Sequence, residues 1–155
     1  MTKPDETKTL TLEREMPHAP EKIWRALTQP ALIAEWLMKN DFQPVVGHQF
    51  TFRTNPVPGL DFDGIVYCTV LEIVPLKKLS YSWKLGPGDG TLNIDSVVKW
   101  ELHQKDNGTE LILDHADFVV MENIGIFNSM NEGWRKNMHK IADRLNATDD
   151  VTTKA

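Results

Sequence analysis

The chain has 155 residues, 41% of them hydrophobic and 25% charged, a size and balance that fit one compact domain able to bury a core without disulfides or metal. Seventeen Lys and Arg stand against 22 Asp and Glu, and the formal charge of −5 opposes binding to phosphate backbones or anionic lipid, so nucleic acid is not an expected partner. Cys68 is the single cysteine, the first ten residues carry Lys3, Asp5, Glu6 and Lys8 where a leader would be apolar, and no stretch approaches about 18 apolar residues; the expectation is a cytoplasmic protein with no membrane insertion.

Residues 7–16 place Leu10, Leu12 and Arg14 against Thr9, Thr11, Glu13 and Glu15, the period of a half-buried strand. Pro20 suits a first helical position, Glu21 suits the positive end of a helix, and Ile23, Trp24 and Leu27 share one face before Pro30. Pro30 opens a second short helix with Ile33, Trp36 and Leu37 on its apolar side.

From Phe42 the period changes to two, and five more strands are predicted over 46–53, 64–74, 78–84, 96–104 and 109–115. Their punctuation includes Asn55-Pro-Val-Pro-Gly59, Pro75, Gly86-Pro-Gly-Asp-Gly90 and the tight-hairpin signal Asn107-Gly108. Short connections imply an antiparallel meander. Alternation assigns Tyr67, Leu71 and Ile73, then Leu79, Tyr81 and Trp83, then Val98, Trp100 and Leu102, then Leu111, Leu113 and His115 to the inner face. Glu72, Ser80, Ser82, Lys99, Glu101 and Glu110 fall on the outer one.

Phe127, Met130, Trp134, Met138, Ile141 and Leu145 recur every three or four residues and predict one long amphipathic helix. The expected fold is therefore α+β: an antiparallel six-stranded sheet curved around a long C-terminal helix, with two short helices after the first strand. The domain is expected over residues 7–146, with flexible tails at 1–6 and 147–155. Gly133, in mid-helix, suggests a close approach to another backbone.

The residues Ala19-Pro20, Ile23-Trp24-Arg25-Ala26-Leu27-Thr28-Gln29-Pro30, Trp36, Gly64, Glu72-Ile-Val-Pro75, Leu79-Ser-Tyr-Ser-Trp83, Gly108-Thr-Glu-Leu111, His115 and Gly133-Trp134 carry a resemblance in their order and spacing. Together they resemble the START-like helix-grip proteins of the polyketide-cyclase (SRPBCC) superfamily, in the branch named for homology to the activator of the heat-shock-protein-ninety ATPase. The resemblance spans roughly residues 7–146. It implies a cavity between sheet and long helix, used across the superfamily for lipids, sterols, polyketides and plant phenolics, and it does not imply one reaction.

The histidines, His18, His48, His103, His115 and His139, make no metal-binding spacing, so no metal and no cofactor is expected. His115 with Asp117 or Glu122 could serve as acid and base on a bound carbonyl, as in the cyclases; a hydrogen-bonded polar residue at the mouth of the core is the simpler reading. The aromatic residues are more informative, because several tyrosine hydroxyls and indole N–H groups on one inner face are hard to satisfy in a dry core. Trp36, Phe52, Tyr67, Tyr81, Trp83, Trp100, His115, Phe127, Met130, Trp134 and Met138 are accordingly the expected lining of a ligand cavity, with the methionines adapting to its guest. The function expected is binding of a planar aromatic, polyketide-like or lipid-like small molecule. The alternatives are a cyclase or hydratase using the same cavity, or a chaperone-associated stress adaptor, which would need an exposed apolar patch on the outer sheet face or the helices.

Overall fold

A computed structural model describes residues 7–56, 62–86, 88, 94–119 and 124–154, with side chains described in 10–56, 62–86, 88, 95–116 and 130–146. The elements run β1 (Thr7–Met16), α1 (Pro20–Thr28), α2 (Pro30–Trp36), β2 (Lys39–Asn40), β3 (Gln49–Arg53), β4 (Ile65–Val74), β5 (Lys78–Leu85), β6 (Ile94–Lys105), β7 (Gly108–Val119) and α3 (Ile124–Lys154). The expected tail at 1–6 lies outside the described residues, and the helical backbone of α3 continues past the apolar stripe that ends at Leu145.

The sheet is antiparallel and ordered β1-β7-β6-β5-β4-β3-β2. Among the described residues it has seven strands rather than the six expected: β2 is a two-residue strand, paired through Lys39↔Arg53 and Asn40↔Phe52, too short to leave a period in the sequence. The two short helices start where proline supplies the helical φ and gives up a donor that has no partner there, at Pro20 and Pro30. They bury Ile23, Ala26, Leu27, Ile33 and Trp36 into the core.

The β6–β7 hairpin turns at Asp106-Asn107 and closes on Gly108, whose φ is +152°. A Cβ at this position would collide with the Met16 carbonyl oxygen, so only glycine lets the hairpin tip lie on the end of β1. Gly133 behaves differently. Among the described residues nothing lies within 4 Å of where its Cβ would stand, so the expected close backbone approach does not occur.

Helix α3 lies along the inner face with Trp134, Met138, Ile141, Ala142 and Leu145 buried. Its C-terminal half is fastened to the start of α1: the Lys22 ammonium donates to the Leu145 carbonyl at 2.9 Å, and His18 Nε2 and Asn146 Oδ1 are 2.8 Å apart. The last residues of β3, β5 and β7 and the first of β4 and β6 pair with one another at the opposite end of the sheet, through Arg53↔Ile65, Tyr67↔Lys84, Leu85↔Ile94 and Val97↔Ala116. The chain between β7 and α3 also leaves from that end.

Candidate functional site

The inner face is built by strand parity. Phe50 and Phe52 on β3, Val66, Cys68 and Val70 on β4, Leu79, Tyr81, Trp83 and Leu85 on β5, Ser96, Val98 and Trp100 on β6, and Leu111, Leu113 and His115 on β7 are all buried. Tyr67 is not among them. It is 43% exposed on the outer face, as are Leu71 at 46% and Val74 at 36%. The pairing of β4 with β5 shifts between Val70 and Glu72. Counting back from half-buried Ile73 across that irregularity inverts the alternation, which is why the inward assignment of Tyr67 and Leu71 fails.

The structure brings Trp36, Phe52, Tyr81, Trp83, Trp100, His115, Trp134 and Met138 into one core, with Met130 half-buried against it. The side chain of Phe127 lies outside the described residues. Two further aromatics join the wall that the sequence reading left out, Phe42 and Phe50, with ring centroids 5.1 Å apart and edge-on. Phe50 shares the parity of Phe52 and Ser96 that of Trp100, so the same alternation could have placed both. Phe42, from which the period of two was expected to begin, lies after β2 in irregular chain and ahead of the first strand read from that period.

The rings are in contact. Trp36 and Trp100 meet edge to face at 5.6 Å and Trp100 and Trp134 at 5.7 Å, while Trp83 lies tilted against Trp134 at 5.2 Å and against Phe52 at 5.4 Å. Buried indole N–H groups need acceptors, and three of these four have one. Trp36 Nε1 donates to the Ala26 carbonyl at 2.8 Å, Trp100 Nε1 to the Tyr81 hydroxyl oxygen at 3.0 Å, and Trp134 Nε1 to His115 Nδ1 at 2.9 Å. The Trp83 Nε1–H has no partner among the described residues, although its side chain is 3% exposed.

His115 fixes the protons of a short relay. Nδ1 accepts from Trp134, so in the neutral ring the proton is on Nε2, which lies 2.7 Å from Ser96 Oγ. Nε2–H donates to Ser96, and the Ser96 hydroxyl donates to the Trp83 carbonyl at 2.9 Å. A protonated imidazole would turn its Nδ1–H against the Trp134 N–H, and the ring is 0% exposed; burial holds its pKa down, to about 3. Both nitrogens are therefore committed to structural hydrogen bonds at neutral pH. Burial likewise pushes the Tyr81 hydroxyl and the Cys68 thiol well above their ordinary values, so neither ionises.

The described residues hold no group of three or more His, Cys, Asp and Glu that could bind a metal ion, and no described helix is long and apolar enough to cross a membrane. On the outer face, Tyr67 borders a shallow groove of about 350 Å³ with Arg53, Thr69, Ser82, Lys84 and Asp41.

A curled antiparallel sheet gripping a C-terminal helix across an aromatic inner face defines a helix-grip protein. The chain belongs to the family described as activator of Hsp90 ATPase homolog 1-like protein, whose model matches residues 17–146. It is similar to the solved structure of MLL2253 from Mesorhizobium loti, at 38% identity and a TM-score of 0.80 over 91% of this chain and 98% of that one. DynU16, from the dynemicin biosynthetic locus, shares the fold at 18% identity and a TM-score of 0.69 over 89% of this chain and 47% of that one. So does the Aha1 dimer from Colwellia psychrerythraea, at 20% identity and a TM-score of 0.71 over 89% and 96%. A search of curated proteins finds no match.

Proposed function

We propose that the protein binds a small, planar, largely apolar molecule, aromatic, polyketide-like or lipid-like, between the sheet and α3 at the end of the core where Trp83 lies. The observation that carries this reading is the Trp83 indole N–H, buried in an aromatic wall and, among the described residues, left without an acceptor while the other three indoles of the cluster are paired. A buried unpaired donor costs about 1–3 kcal/mol, and phenylalanine would fill much of the same space without it. A guest offering an acceptor removes that penalty on binding. Half-buried Met130 on α3 supplies a flexible flank. The resemblance to the helix-grip superfamily implies a fold used around small molecules, and the committed nitrogens of His115 favour a binding role over acid–base catalysis.

The test is a titration of the full chain with flavonoids, fatty acids and small polyketides, following tryptophan fluorescence and amide resonances. Micromolar binding, about −8 kcal/mol, with shifts at Trp83 and along the inner side of α3 is expected. Shifts confined to the outer face, or none from any compound up to its solubility limit, overturn the reading.

The second reading, an adaptor for a chaperone or another protein, draws on the exposed Tyr67, Leu71 and Val74 of β4 together with Val45 and Val46 of the loop before β3. That loop is tied to β4 through the Gly47 N–H to the Val70 carbonyl at 2.8 Å, which brings its two valines beside the strand. Retention of the chain by an Hsp90-type ATPase, lost on Leu71→Glu, is the result that this reading requires.

A further inference from the structure

The unpartnered indole also bears on the chemistry of the guest. Resting on the binding reading above, we propose that the guest presents a neutral hydrogen-bond acceptor, a ketone or quinone-type carbonyl, to Trp83 Nε1–H, and that carboxylate guests are disfavoured. Two observations converge on this assignment.

The first is the proton count. The relay from Trp134 through His115 and Ser96 ends on the Trp83 carbonyl, with every donor in it spent and the imidazole unable to accept another proton. Tyr81 already accepts from Trp100. What this wall has left to offer around Trp83 is a donor, so the complementary group on the guest is an acceptor.

The second is the absence of a counter-charge. The buried polar side chains among the described residues are His18, Thr28, Ser80, Ser96, Thr109 and His115, none of them Lys or Arg, and the one nearest Trp83 that could become cationic, His115, stays neutral. An anionic guest oxygen would enter this wall with one neutral donor and no cation, and burying an unpaired carboxylate is strongly unfavourable. A carbonyl oxygen loses far less solvation and is satisfied by a single N–H.

The test uses three planar probes of nearly one shape on the full chain: fluorenone, which has a carbonyl; fluorene, which lacks it; and a fluorene carboxylate. Fluorenone is expected to bind about tenfold more tightly than fluorene, and the carboxylate more weakly than either. The Trp83 indole proton resonance, assigned by through-bond experiments on the native chain, should move downfield with fluorenone and not with fluorene. In Trp83→Phe the two neutral probes should bind equally; the resonance shift in the native chain keeps the proposal testable if that variant does not fold. Equal affinities for fluorenone and fluorene with an unmoved Trp83 resonance overturn the acceptor assignment while leaving interior binding intact, as would be seen if water occupied the N–H. No binding of any probe up to its solubility limit overturns both this inference and the reading it rests on.

Discussion

The two ends of the aromatic core are made of the same residue types and differ in what their polar atoms have to bond. Around Trp36 and Trp100, each indole N–H finds a carbonyl or hydroxyl oxygen within 3.0 Å, and the rings pack edge to face. Around Trp83, the backbone carbonyl is bonded by Ser96 and the ring is covered by Phe52, His115 and Trp134, yet the indole N–H has no partner among the described residues. A protein interior tolerates few such groups, and those that persist tend to mark positions where something other than folding sets the residue. The first end is a closed core. The second carries an unpaired buried donor, the feature on which the proposed binding rests.

Removing Trp134 should break both ends at once, since it touches Trp83, Trp100 and His115 and donates to the imidazole. Trp134→Ala is expected to lose about 3–5 kcal/mol in denaturant unfolding, and a loss under about 1 kcal/mol would place Trp134 outside the core.

Acid should weaken the His115 relay. The folded pKa is depressed to about 3 from 6.5, so between those values the unfolded chain takes up a proton that the folded chain refuses. Stability from this group therefore falls as pH drops through that window, by at most about 1.4 kcal/mol per pH unit, and is independent of pH above it. Comparing unfolding free energies at several pH values for the native chain and His115→Gln isolates the effect. The native chain should lose about 2 kcal/mol more than the variant between neutral pH and pH 5, and parallel profiles would contradict the assignment of a neutral His115.

The smallest effect is expected away from both ends. Gly133→Ala meets open space among the described residues and should stabilise the chain by about 0.5–1 kcal/mol through helix propensity, read as a rise in thermal midpoint. A destabilisation would show that the position needs its missing side chain.

Much of the fold was legible because the chain uses strong periods. The prolines at 20 and 30, the alternation along β5, β6 and β7, and the stripe from Met130 to Leu145 each announce their element. The two-residue β2 and the irregularity in β4 carry no period, and they account for the missing strand and for the outward placement of Tyr67. The site was legible in its residues and not in its hydrogen bonds. Tyr81–Trp100, Ser96–His115 and His115–Trp134 are each 19 residues apart, and their meeting depends on strand register and on the rotation of α3, which side-chain periods alone leave undetermined. That pairing turned a face of many unsatisfied polar aromatics, as the sequence suggested, into one where, among the described residues, only the Trp83 Nε1 atom has no partner.

The most direct test of the difference between the two ends is the unfolding free energy of Trp83→Phe set beside that of Trp134→Phe. Both substitutions shrink a buried indole to a phenyl ring, so the packing loss is shared, but only the second takes a donor from a buried partner, His115 Nδ1. The account predicts that Trp134→Phe loses about 1–3 kcal/mol more than Trp83→Phe in the absence of any guest. Equal losses, or a larger loss for Trp83→Phe, would mean that the Trp83 N–H is bonded in the folded protein and would contradict the claim that it is held in reserve.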